Sequence, residues 1–258
     1  MPQRERPQKG IQSIEVGGQL LLALARHGAP MMLRDLAQAA GMAPAKAHPY
    51  LVSFGRLGLV EQDAATGRYR LGGTALQLGL VSLRQSDPVR LATEAIAALR
   101  ERVRHTVALA VWGNRGPTVV RLEEMDYPFH ANMRVGTVMS LARTATGHVF
   151  AAFLPDKMTE ALLREELGQL ARSETADAGP ALRAALAETR EHGMARALGS
   201  PIPGLNAFSA PVFDHTGAVV VALTVTGPSG DFDARWDSPI GAALLECCRD
   251  LSRRLGEN

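Results

Sequence analysis

The sequence predicts an α+β protein, in which a small helical module closed by a β-hairpin precedes a larger domain built on an antiparallel sheet. Three observations predict it. Apolar residues recur at helical spacing through the first sixty residues and then alternate across a turn. Beyond residue 87, helices and strands are mixed and the strands come as hairpins. The charge is also uneven. Residues 1–86 hold 10 Lys/Arg against 5 Asp/Glu and residues 87–258 hold 18 against 21, so +5 and −3 sum to the chain's +2.

Residues 1–10, with Arg4, Arg6 and Lys9, read as a flexible arm, either a tail that reaches a groove of nucleic acid or an inert terminus. From Ser13, Ile14, Val16, Leu20, Leu21 and Leu24 form a helical stripe, with Gly28 as its stop. A second helix over 31–42 turns Leu33, Leu36, Ala37 and Ala40 inward, and Gly41 supplies a turn. A third carries Leu51, Phe54 and Leu57 on one face. Pro49 lies in its interior, where proline removes a hydrogen bond at a cost of about 3 kcal/mol. Either the helix starts at Pro44 and kinks, or the helix proper starts near Pro49. Strands over 59–62 and 68–71 flank a turn at 64–67. Three short helices and a hairpin, with the second and third helices joined through a glycine turn, make a winged helix-turn-helix over 11–72. A connecting helix over 73–86 follows.

Asp87-Pro88 is a helix start, and Leu91, Ala95, Ile96, Leu99 and Val103 give the stripe behind it. Strands "TVALAVW" and "TVVRLEE" flank the turn "GNRGP". After an irregular stretch come helices near 144–153, 156–168 and 180–192. Two more strands, "AFSAPVFD" and "AVVVALTVTG", are followed by a final helix from Ser238-Pro239.

The composition, 46% hydrophobic and 21% charged, is that of a globular protein with ample core. No apolar run approaches the ~20 residues that span a bilayer, so no membrane partner is expected. The polar start "MPQRERPQKG" lacks a signal region. Cys247 and Cys248 are adjacent and have neither bridging nor metal-ligand spacing, which implies a reducing cytoplasm, one thiol in the core and one toward solvent. No G-x-S-x-G, H-E-x-x-H or phosphate loop occurs, and His105, His130, His148, His192 and His215 are scattered. No enzyme, metal or cofactor is therefore expected.

The residues "LRDLAQAAGM", "AHPYLVSF" and "GLVEQDAATGRYRLG", then "TATGHVFAAFLP", "PGLNAFSAPVFD" and "VVALTVTGP", resemble, in order and spacing, the IclR family of bacterial transcription regulators over about 11–256. The resemblance implies a winged-helix DNA-binding domain, a linker helix, and a GAF-like effector-binding domain over 87–258, assembled as a homodimer or homotetramer. The sequence departs from the family at four places. Pro49 stands at an Arg position, Ala142 where His is frequent, Ala207 where Cys is frequent, and residues 197–200 replace an acidic run.

The third helix is the DNA reader, with Lys46 and His48 at its N-terminal end and Tyr50 and Ser53 nearby. Arg34, Arg68 and Arg70 suit phosphate or minor-groove contact. Each of these also has a plain reading as a solvated charge or, for Tyr50, a core aromatic. In the second domain, Arg143 beside Thr144 and Thr146 at a helix start could hold a carboxylate. The plain alternative is a helix cap beside a solvated arginine. Thr224 and Thr226 share one strand face. By resemblance they match the effector pocket, as do Met139, Ala145, Thr146 and Ala207. Small Ala142 and Ala207 would leave room for more than a two- or three-carbon acid. The reading is a ligand-responsive regulator of a double-stranded DNA operator, sensing a small organic, possibly aromatic, acid. The alternatives are an enzyme acting on such an acid through the second domain, or a winged-helix protein-interaction module.

Overall fold

The first stripe becomes α1 (Gln12–His27), which ends where Gly28 adopts a left-handed φ of 68° and donates its N–H to the Leu24 carbonyl. The structure is a computed structural model that describes residues 10–85, 87–124, 133–173 and 178–257. The arm cations Arg4, Arg6 and Lys9 lie outside the described residues. The chain forms two units, Met1–Ser86 and Asp87–Asn258.

In the first unit, α2 (Leu33–Ala39) and α3 (Pro44–Arg56) are joined through Gly41, whose φ of 68° favours glycine. Leu20, Ala23 and Leu24 of α1 pack with Leu36, Ala37, Ala47 and Leu51. Ile14 stays outside, at 71% exposure, because its position lies off the face that meets α2 and α3. Gly17 is glycine for contact: a Cβ there would fall 2.7 Å from the Tyr50 ring. Strands β1 (Val60–Gln62) and β2 (Tyr69–Leu71) pair antiparallel. Asp63 Oδ1 accepts from the Thr66 and Ala65 N–H groups and the Thr66 hydroxyl, which holds the turn and keeps its carboxyl below the usual range. Met31 and Tyr69 exchange backbone hydrogen bonds of 2.9 and 2.7 Å, tying the α1–α2 connection to the hairpin. Then α4 (Gly73–Gln85) exposes Leu76, Leu78, Leu80 and Val81.

Two expectations for the third helix need correction. It begins at Pro44 and runs unbroken through Pro49, so a start near Pro49 is excluded. Leu57 is the residue that ends it and is 61% exposed, because the chain leaves the helix before the apolar face comes round again.

The second unit begins with α5 (Pro88–Val103), capped by Asp87, whose carboxylate accepts from the Val89 and Arg90 N–H groups. Strands β3 (Thr106–Gly113) and β4 (Gly116–Glu123) form a hairpin. Helices α6 (Ala145–Phe153), α7 (Asp156–Ser173) and α8 (Ala178–His192) lead to β5 (Ala195–Leu198), β6 (Leu205–Phe213) and β7 (Val219–Pro228). The last element is α9 (Pro239–Arg254), capped by Ser238. The strand order is β4-β3-β7-β6-β5, with every pair antiparallel. The strand β5 has no counterpart in the sequence reading; its four residues are too few to show alternation.

Period-2 alternation sorts the sheet into two unlike faces. Val107, Leu109, Phe208, Val212, Val221, Leu223 and Val225 face α5 and α9 and form the larger core. Ala110, Ala207 and Ala222 face α6 and α8. Cys248 is buried in the larger core and Cys247 lies half-buried at its edge. Burial raises the Cys247 thiol to about 11 and that of Cys248 well above its ordinary value, so neither is a reactive thiolate at neutral pH. Among the described residues no helix is long and apolar enough to cross a membrane.

Pro49 leaves the Ala45 carbonyl without an i+4 N–H. Pro49→Ala is expected to restore that bond, to stabilise the first unit by about 1–3 kcal/mol, and to slow hydrogen exchange of the α3 amides. Unchanged or faster exchange would show that the proline suits the local geometry.

Candidate functional site

The small face of the sheet and the start of α6 enclose a cavity of about 70 Å³. Its position follows from the alternation. Phe208 and Val225 point to the large core, which turns Ala207, Ser209, Thr224 and Thr226 toward α6. Met139, Ala145, Thr146, Ala207, Thr224 and Thr226, which the resemblance assigns to an effector pocket, all line it. Met133, Pro201, Ile202 and Leu205 close it.

The cavity's hydroxyls are ordered by one another. Thr146 and Thr224 hydroxyls meet at 2.8 Å, Thr224 donates to Ser209 Oγ at 2.9 Å, and Ser209 donates to the Leu223 carbonyl at 3.2 Å. Thr226 donates to the Asn206 carbonyl at 3.0 Å. Thr144 caps α6, accepting from the Gly147 N–H at 2.9 Å and donating to the Ser140 carbonyl at 2.7 Å. The first N–H groups of a helix lack intrahelical partners. With that of Gly147 taken by Thr144, those of Ala145 and Thr146 remain at the cavity wall.

Arg143 is not among the residues around this cavity. It lines two neighbouring grooves, one of about 390 Å³ with Ala142 and His148, the other of about 460 Å³ with Arg115, Glu166 and Gln169. Arg143 thus borders the grooves while Thr146 borders the cavity; Arg143 precedes the Thr144 cap, so the repeat of the helix does not set its direction. Ala142 likewise opens a groove, not the cavity.

What holds the start of α6 is a residue the sequence reading missed. Glu166, from the middle of α7, accepts from the Ser140 hydroxyl at 2.6 Å and from the Ala142 and Leu141 N–H groups at 2.9 and 3.1 Å. The only local signal was a Glu on a helix rich in Glu. Gly147 permits the same approach, since a Cβ there would lie 2.0 Å from the Ser140 carbonyl oxygen. His148 is buried, with Nε2 3.1 Å from the Ala142 carbonyl and Nδ1 unpartnered. A carbonyl only accepts, so Nε2 carries the proton. Burial lowers the imidazole pKa, against the opposing pull of that carbonyl and of Glu166.

In the first unit, Lys46, His48 and Ser53 are exposed on α3, and Arg34 on α2. Tyr50 is not: it is half-buried against Gly17 and the first unit's core. It shares the inward face with Ala47, Leu51 and Phe54, so its helical position places it away from a groove. Arg68 is exposed and donates to the Pro30 carbonyl at 3.2 Å. Arg70 pairs with Glu61 at 2.9 Å, an exposed pair of little strength.

The model of the bacterial transcriptional regulator IclR C-terminal domain matches residues 81–253, and that of the IclR helix-turn-helix domain matches residues 13–64. The chain belongs to the IclR family of transcriptional regulators. It is 39% identical to Pseudomonas aeruginosa HmgR, whose crystal structure superposes with a TM-score of 0.85 over 96% of this chain and 99% of that one. It is 31% identical to the glycerol operon regulatory protein of Streptomyces griseus over 96% of this chain and 98% of that protein. It is also 31% identical to a probable HTH-type transcriptional regulator, ArcR, of Halobacterium salinarum, over 86% of each. The Streptomyces griseus and Halobacterium salinarum proteins are regulators, not enzymes. The helix-turn-helix of α2 and α3 is thus this IclR-family chain's DNA-binding element.

Two outcomes follow from the α6 support. Because the folded state depresses the His148 pKa below its ordinary value of 6.5, the unfolded chain takes up protons first. Stability is then full above about 6.5 and is lost as pH falls toward the folded pKa. His105 acts in the same sense, through burial opposed by Asp231. Denaturant midpoints between pH 7.5 and 5 should fall for wild type and fall less for His148→Gln. Separately, Glu166→Ala should cost about 2–3 kcal/mol, since hydrogen bonds to a charged group are lost and backbone N–H groups left bare. Exchange should quicken at the amides of residues 141–147.

Proposed function

We propose that this chain is a ligand-responsive regulator in which α3 enters the major groove of an operator and a small organic acid in the α6 cavity biases the DNA-competent state. The cavity carries the effector half of the reading. It joins apolar walls of Met133, Met139 and Ile202 to the bare N–H groups of the α6 start, a setting that favours an anion. The carboxylate sits at Ala145 and Thr146, within reach of the Thr224 hydroxyl, while Arg143 stays outside. At about 70 Å³ the cavity suits a compact acid. An aromatic one requires the connection over 199–204, bounded by Gly199 and Gly204 at positive φ, to yield. Effector action requires unequal affinity for the two protein states.

Toward DNA, Arg34, Lys46, His48, Ser53, Arg68 and Arg70 take phosphates and base edges around α3 and the hairpin. The exposed leucines of α4 support assembly as a homodimer or dimer of dimers on a near-palindromic operator, in the cytoplasm where the DNA lies.

Calorimetric titration of aliphatic and aromatic acids tests the cavity. An acid that binds wild type should bind Arg143→Ala with little change and Thr224→Val at least several-fold more weakly. Equal binding to wild type and Thr224→Val would place the effector elsewhere. Operator affinity should fall steeply with added salt, because phosphate contact releases counterions. A flat salt response would argue against the DNA-facing assignments.

A further inference from the structure

The outermost stripe of α3 carries no hydrogen-bonding side chain until its last turn. Ala47 and Leu51 are buried, Tyr50 and Phe54 pack half-buried on the same core, and the four together define the inward direction. At 3.6 residues per turn, the residues opposite them are Ala45, Pro49, Val52 and Arg56. All four are exposed, Val52 at 41%. Lys46 and Ser53 flank one side of this stripe and His48 the other. The Ser53 hydroxyl is turned back onto its own helix, donating to the Pro49 carbonyl at 3.0 Å.

Side chains that read bases by paired hydrogen bonds are Arg or Lys on guanine and Asn or Gln on adenine. Over the first two turns the crown of this helix offers none of them. It offers the Ala45 methyl, the Pro49 ring and the two Val52 methyls. In a major groove the one apolar group that matches such a surface is the C5-methyl of thymine. Proline strengthens the match in two ways: its ring adds apolar surface at the centre of the stripe, and it removes a flexible side chain that would cover its neighbours. Lys46 and His48, on the shoulders, suit the phosphates that border the groove, and Arg56 lies one turn beyond.

We propose that Ala45, Pro49 and Val52 form an apolar reading edge that selects thymine methyl groups within each operator half-site. This rests on the regulator reading above, and adds to it the chemistry by which the operator is discriminated.

The test uses the full-length chain. A randomised duplex library is selected for binding at fixed salt. Thymines of the enriched site are then replaced one at a time by deoxyuridine, which deletes the methyl and keeps the base pairing. At one or more thymines per half-site the affinity should fall about fourfold, the factor for one buried carbon. That penalty should shrink below about twofold in Val52→Ala or Pro49→Ala. Val52 is a surface residue, so its truncation leaves the fold intact. As a control, Lys46→Ala should weaken thymine and uracil duplexes alike. If every thymine tolerates uracil, or the penalty persists in full in both variants, the inference is overturned while the regulator reading stands. If selection enriches no sequence, the regulator reading itself falls and takes the inference with it.

Discussion

Everything in the second unit depends on the unequal bulk of the two faces of its central strands. Valine, leucine and phenylalanine on β3, β6 and β7 point to α5 and α9 and fill that side. Alanine, serine and threonine on the alternate positions leave the other side shallow. A helix can approach such a face closely only with small residues of its own, and the first turn of α6 supplies Ala145, Thr146 and Gly147. Where the approach is incomplete, a cavity remains, lined by hydroxyls that already satisfy one another. The cavity is thus the remainder of a packing asymmetry, and its hydroxyl chain keeps it from costing unpaired buried oxygens.

The start of α6 is held from three directions. Thr144 caps it from its own chain, Gly147 admits the Ser140 carbonyl at a distance no side chain would allow, and Glu166 grips residues 140–142 from α7. His148 adds an imidazole kept neutral by burial. These contacts fix the helix-start N–H groups beside the cavity, where the proposed effector would meet them.

In the first unit the corresponding constraint is the close pass of α1 over α3 at Gly17 and Tyr50. It fixes which side of α3 is inward and therefore which side can meet DNA. Tyr50 is used up in that contact, and the residues left outermost are apolar up to Arg56 in the last turn. Pro49 fits this arrangement because the helix continues through it, with only the Ala45 carbonyl losing its helical donor.

Much was legible in the sequence because it depends on local chemistry. Gly28 and Gly41 marked helix ends, Asp87 and Ser238 marked helix starts, the turn after Asp63 marked a hairpin, and alternation put Thr224 and Thr226 on one face. Six short motifs, in order and spacing, carried the family resemblance. Other features depend on direction and distance between elements far apart in the chain. Periodicity placed Tyr50 and Lys46 on one helix but not on opposite sides of the α1 contact. Spacing put Arg143 beside Thr146 but could not show that a capped turn sends them to different spaces. Nothing within α7 distinguishes Glu166 from its neighbouring glutamates until α7 lies against residues 140–142. The sequence by itself determined every element but β5, most of their faces and the family, since those follow from neighbours within a few residues. Only the tertiary structure decided the cavity's size, its support and the apolar crown of α3, because each is set by which surfaces meet.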